Sequence, residues 1–283
     1  MIYRTTICSF VFLSVCAALN AASIRGRVIE VLPEARSLKL EVKEGAPEGI
    51  ELGATVEFRA GPGDIEIGYL GREIRAEAEY YNKNWHLEQV FPVDGLGSKA
   101  ATDLNARLHD ATASMSRRKF LRVGDYIPNF AMIDQRGEFV QMNQLKGKPF
   151  VLNFIFTRCT VPTMCPASTN RMASLQDIAS NEMALENLQF VTITFDPEFD
   201  SPGVLREYAK GYGIASDNFY LMTSTQEVVD DLLRQFGILT MEEDGTINHT
   251  MATFLIDANG RVSFRKEGAS WTTNEFMEAA REL

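Results

Sequence analysis

The stretch PFVLNFIFTRCTVPTMCPASTNRMASLQDIASNEMA, residues 149–184, decides how the rest of the chain is read. It begins with a nearly unbroken apolar run to Phe156, the mark of a strand buried on both faces. From Pro166 onward it has helical spacing, with proline in the first turn, where its missing N–H costs nothing. Between the two lies TRCTVPTMC, with Cys159 and Cys165 separated by five residues. Strand, cysteine loop and helix in this order put sulfur at the C-terminal end of a buried strand, where α/β folds place their chemistry.

On both sides of this stretch the pattern repeats. LQFVTITFD is a second buried strand, SPGVLREYAKGYG a helix ended by Gly213, NFYLMTS a third strand and TQEVVDDLLRQFG a helix ended by Gly237. MATFLID and RVSFRKEG form a hairpin around ANG, TTNEFMEAARE closes as a helix, and upstream NFAMID and GEFVQM form a hairpin around QRG. This predicts an α/β thioredoxin-like domain over residues 119–283, with helices on both faces of a mixed sheet.

The text before it is different. Over residues 24–93, RGRVIEVL, SLKLEVKE, ATVEFRA, IEIGYLG, REIRAEAEYY and WHLEQVFPV are short strand-like runs broken by Pro, Gly and charged turns. They predict a small all-β barrel or sandwich of five or six strands. It holds no methionine, and Trp85 and His86, adjacent in one strand, point to opposite faces and do not converge on an ion. The domain therefore reads as a docking or structural module. Residues 94–118 read as a partly helical linker, with His109 solvated.

Residues 1–22 have the layout of a secretory signal peptide: Arg4, an uncharged apolar stretch to about Leu19, then small residues. The expected location is exported and periplasmic, with membrane association if the N-terminus stays uncleaved or is lipidated at Cys16. The leader holds one basic residue and no acid, so its loss takes the formal charge from −10 to −11, which disfavours nucleic acid and anionic membranes as partners. It also takes away Cys8 and Cys16, leaving Cys159 and Cys165 as the whole thiol complement. A disulfide closing so short a loop is worth only about 2.4 kcal/mol, so a functional pair is the stronger assignment than a structural clip.

Cys165 stands at a helix N-terminus, where free N–H groups and the helix dipole favour thiolate, the form that binds metal and attacks disulfides. His249 lies between turn-rich EEDGTIN and strand MATFLID, which predicts a loop position at one end of the sheet beside the cysteines. Two thiolates and one imidazole make a soft, low-coordinate donor set suited to copper. No proline stands just before the strand that follows His249, which disfavours a general disulfide reductase. The rival remains a thiol-disulfide oxidoreductase using Cys159 and Cys165 as a redox pair with a thiol reductant. A peroxidase is weaker, because Thr157 is only two positions before Cys159. Asp196 and Asp200 in FDPEFD either cap the next helix or supply supporting hydrogen bonds, and Met164 and Met251 adjoin proposed ligands as core filler or auxiliary thioethers.

Four stretches in order, VGDYIPNFAMIDQRGEFVQMNQLKGKPFVLNFIFTRC (123–159), CP (165–166), FDPEFDSPGVLREYAKGYG (195–213) and NHTMATFLIDANGRV (248–262), resemble the Sco/SenC family of thioredoxin-fold copper chaperones. The resemblance implies copper held by Cys159, Cys165 and His249 and delivered to a cuproprotein such as a cytochrome c oxidase subunit. The family spacing is three residues between the cysteines, with a proline after each. Here five stand between them, and Pro166 alone keeps its place.

Overall fold

The computed structural model describes residues 22–116, 119–243, 246–268 and 270–283. The expected leader, with Cys8 and Cys16, lies outside them except for Ala22. No helix among the described residues is long and apolar enough to cross a membrane.

Ala22–Leu32 (β1), Ser37–Glu44 (β2), Thr55–Arg59 (β3), Glu73–Tyr81 (β4) and Asn84–Pro92 (β5) close a barrel in the order β1-β2-β3-β5-β4. Alternation builds it: Leu38, Leu40 and Val42 point inward and pack with Ile24, Val28, Phe58, Ile74 and Leu87. Trp85 leans on Phe58 and Tyr80, while His86 stacks on Tyr81. One expected strand is missing. IEIGYLG lies largely in a short helix, Pro62–Ile67 (α1), and the turn after it. Its apolar alternation is overridden by Pro62 in the first turn and by Gly68 at φ +76°, a conformation that ends the helix.

Residues 94–118 are more than a linker. Gly95–Ser114 (α2) is one continuous helix docked on the second unit. Leu108 enters that unit's core, and Asn105 brackets the backbone of Ala131, accepting from its N–H at 2.9 Å and donating to its carbonyl at 2.8 Å. His109 is exposed, as expected, and also contacts Asp231 at 3.0 Å and Glu227 at 3.5 Å, where Asp231 raises the imidazole pKa.

The second unit is a seven-stranded mixed sheet. Its strands are Ala131–Asp134 (β6), Phe139–Gln141 (β7), Phe150–Ile155 (β8), Gln189–Thr194 (β9), Phe219–Thr223 (β10), Ala252–Ile256 (β13) and Val262–Glu267 (β14), in the order β14-β13-β8-β9-β10-β6-β7. β8, β9 and β10 run parallel at the centre and are buried on both faces, as their apolar runs require. Cys165–Ser180 (α3), Pro202–Gly211 (α4) and Thr273–Arg281 (α6) pack one face around Met172, Leu205 and Phe276, while Gln226–Phe236 (α5) and α2 pack the other around Phe154, Leu232 and Phe236. Thr240–Glu243 (β11) and Thr246–His249 (β12) form a separate two-stranded hairpin.

The barrel sits on the N-terminus of α4. Gly63 and Gly203 meet backbone to backbone: a Cβ on Gly63 would lie 2.0 Å from the Gly203 carbonyl oxygen, and one on Gly203 would lie 2.3 Å from Asp64 Oδ1. Glu66 pairs with Arg206 and Lys210 of α4, and Arg72 donates to the Gly137 carbonyl at 2.7 Å.

Candidate metal centre

The cysteine loop is anchored before it reaches either sulfur. Asp200 is fully buried and its carboxylate accepts from the Thr157 N–H at 3.1 Å, from the Thr157 hydroxyl and from the Thr194 hydroxyl. Burial lifts its pKa to about 6, the threonine bonds opposing the shift. Asp196 takes both Nε and Nη2 of Arg158, at 2.9 and 2.7 Å, and that guanidinium lies over Phe199. Two acids at the end of β9 thereby hold Thr157 and Arg158, the residues that lead into Cys159. The capping role belongs to Ser201, whose Oγ accepts from the Val204 N–H.

α3 is fixed by a buried polar chain. Asn153 donates to Ser168 Oγ at 2.9 Å and accepts from Thr192 Oγ1 at 2.7 Å, tying β8, α3 and β9 together. Thr169 donates to the Cys165 carbonyl at 3.0 Å and pairs with the Tyr208 hydroxyl at 2.8 Å. Sequence reading missed this chain, although a lone Asn in an otherwise apolar strand was its signal.

Cys165 opens α3, as its sequence position predicts, but its environment reverses the expected thiolate preference. It is 0% exposed, and desolvation pushes its thiol pKa well up, with Cys159 nearby adding to the rise. The bare helix start is outweighed by an apolar surround that includes Phe156 and Phe195.

His249 does not lie in a loop. It ends β12, paired with Thr240 in the hairpin, and its ring is held against Phe156 and Phe195 with centroids 5.9 and 4.5 Å away. Nδ1 faces the Thr250 carbonyl at 3.1 Å, which fixes the proton there and leaves Nε2 as the acceptor facing Cys165. Nε2 lies 3.6 Å from Cys165 Sγ. Burial lowers the imidazole pKa, so the ring is neutral at neutral pH, the form that ligates metals.

Cys159 is the more exposed member. It is half-buried at the margin of the same core, and its thiol makes a long 3.9 Å contact to the Val161 carbonyl. Both cysteines are free. Among the described residues no three His, Cys, Asp or Glu side chains converge closely enough to hold an ion as they stand. The structure thus brings Cys165 and His249 face to face, with Cys159 on a loop beside them. The donor chemistry, two sulfurs and an imidazole in apolar surroundings, fits a soft ion.

The profile of the SCO1/SenC family matches residues 121–281. A SCO2-like protein of Rickettsia typhi is 32% identical over 139 residues, covering 47% of this chain and 65% of that protein. A Stutzerimonas stutzeri protein named for copper binding is 29% identical over 167 residues, covering 57% of this chain and 76% of its own. A crystal structure of a SCO1/SenC family lipoprotein from Bacillus anthracis superposes with a TM-score of 0.53 at 28% identity, over 58% of this chain and 98% of that one. The chain spans about 65% of the length of the Rickettsia relative. The profile match covers the sheet unit, and the barrel lies before it.

Proposed function

The chain belongs to the SCO1/SenC family, and on that premise we propose that it is an exported copper-binding protein that holds copper as cargo between Cys159, Cys165 and His249. Delivery is to a cuproprotein, with a cytochrome c oxidase subunit the first recipient to test. The observation that carries the proposal is the 3.6 Å approach of a neutral imidazole Nε2 to Cys165 Sγ inside an aromatic pocket. A relative named for copper binding supports the choice of ion.

Each residue has a distinct task. His249 presents Nε2 because Thr250 occupies Nδ1, and Phe156 and Phe195 hold the ring plane. Cys165 supplies a sulfur that water does not reach, which protects it from oxidation but means that its proton leaves only when a cation takes its place. Cys159, on the loop, is the more accessible arm, and Asp200 and Asp196 keep its base fixed. Bound copper supplies a thiophilic centre that passes between proteins by exchange of sulfur ligands.

Cys159 close to Cys165 also favours a second reading, a thiol-disulfide oxidoreductase. Metal content and free thiols of the protein purified from its exported compartment separate the two. About one copper per chain with both thiols reduced supports the copper function. Copper-free protein whose disulfide turnover survives His249→Ala supports the enzyme.

A further inference from the structure

Cys165 is closed to solvent, so any ion must reach it past the residues that flank it. An open cleft of about 460 Å³ adjoins His249, and its walls include Phe120, Met164, Met251, Arg265 and Glu267. Met164 directly precedes Cys165 at the start of α3, and Met251 follows His249 by two residues at the entry to β13. Both are half-buried, so neither is simple core filler. The cleft's two charged side chains pair with each other, although the buried Nε of Arg265 has no partner. Arg265 donates to the Leu121 carbonyl at 2.9 Å, pairs with Glu267 at 3.2 Å, and lies over Phe120 and Phe254. What remains to meet an ion is two thioethers and an imidazole, a neutral and soft donor set that selects Cu(I) over hard or highly charged cations.

We propose that Met164 and Met251, with His249, form an entry subsite for Cu(I), through which the ion reaches Cys165. The proposal rests on the copper-holding reading of the neighbouring site. Transfer is ligand exchange without change of oxidation state: copper–thioether bonds break, a copper–sulfur bond to Cys165 forms, and the thiol proton goes to water. Thioethers suit this step because they bind Cu(I) weakly enough to release it to a thiolate.

The test uses the full chain with carbon-13 in the methionine methyl groups, reduced, and titrated with Cu(I) as its acetonitrile complex. In a Cys159→Ser/Cys165→Ser variant, two methyl resonances shift at the first equivalent, and they are the two that vanish in Met164→Leu and Met251→Leu. The Met241 methyl, 62% exposed on the neighbouring β11, stays in place. If neither resonance moves, or Met241 moves equally, the subsite is overturned. With the cysteines intact, Met164→Leu/Met251→Leu slows Cu(I) loading from a bicinchoninate complex about tenfold and changes the final affinity less than about twofold, since Leu conserves the volume. An unchanged rate also overturns the subsite. Cysteine-intact protein that takes up no Cu(I) at all contradicts the copper function itself, whereas uptake with unmoved methyl groups contradicts the subsite alone.

Discussion

The barrel and the sheet unit each close an apolar core, but they bury polarity in different places. In the barrel the buried polar residues are Ser37 and Asp64, and Asp64 faces the other unit rather than a site of its own. In the sheet unit Asn153, Ser168, Thr192, Thr194, Asp196 and Asp200 gather on and beyond β8 and β9, around the segment that carries both cysteines. A buried polar group is tolerable only when hydrogen-bonded, so a concentration of satisfied ones marks where geometry is being held. The sheet unit holds a sulfur and an imidazole, and the barrel holds the helix that follows Asp200.

The sharpest way to break this contrast is Asp200→Ala. It strands the Thr157 N–H and two hydroxyls inside the protein, at a cost of roughly 3–5 kcal/mol. Urea unfolding should show that loss, with weakened Cu(I) binding as the Cys159 loop comes free. Stability within about 1 kcal/mol of the parent would mean that Asp200 is no anchor. Next comes Gly203→Ala, which drives a Cβ against the Asp64 carboxylate and should cost roughly 1–3 kcal/mol while leaving Cu(I) affinity near the parent value. A large loss of affinity there would show that the units are coupled more tightly than their contacts suggest.

A pH-dependent effect belongs to Asp64. Burial raises its carboxyl pKa from 3.8 to about 7, opposed by the Tyr69 hydroxyl and reinforced by Glu88. The folded protein keeps a proton that the unfolded chain gives up, so this contribution is complete below the unfolded pKa and is lost as pH rises through about 7. The expected slope is up to roughly 1.4 kcal/mol per pH unit between those limits, and Asp64→Asn should flatten it in melts run from pH 4 to 8. An identical slope in the variant would assign the dependence to other groups. Smallest of all, Glu66→Gln breaks partly exposed pairs to Arg206 and Lys210 and should change stability by no more than about 1 kcal/mol.

Much of this contrast could be read from the chain. The unbroken run of β8, the proline at the start of α3, the alternation in β2 and the hairpins around QRG and ANG were all visible as local pattern. So was the approach of Cys165 to His249 at one end of the sheet, although His249 reaches it from a strand and not from the expected loop. The failures share a cause. IEIGYLG alternates like a strand, but it is a helix whose Gly63 and Asp64 are buried against α4, a contact no local pattern encodes. α2 reads as a helix but not as a docked one, because it buries few apolar residues, Ala101 and Leu108, and much of its docking runs through Asn105, His109 and Thr112 hydrogen bonds. His249 reads as loop because β11 and β12 pair mainly polar residues with no apolar alternation. The position of Cys165 at a helix start was legible, but its burial comes from a core assembled from several other elements.

The central claim is that a neutral His249 and Cys165 are two arms of one soft-metal site. Competition of the reduced protein with bicinchoninate for Cu(I) tests it most directly, run in parallel on His249→Ala and Cys165→Ser. The account predicts one tightly held Cu(I) per parent chain, with each variant weakened by at least about tenfold, the loss of one donor. Parent-like affinity in either variant would contradict it.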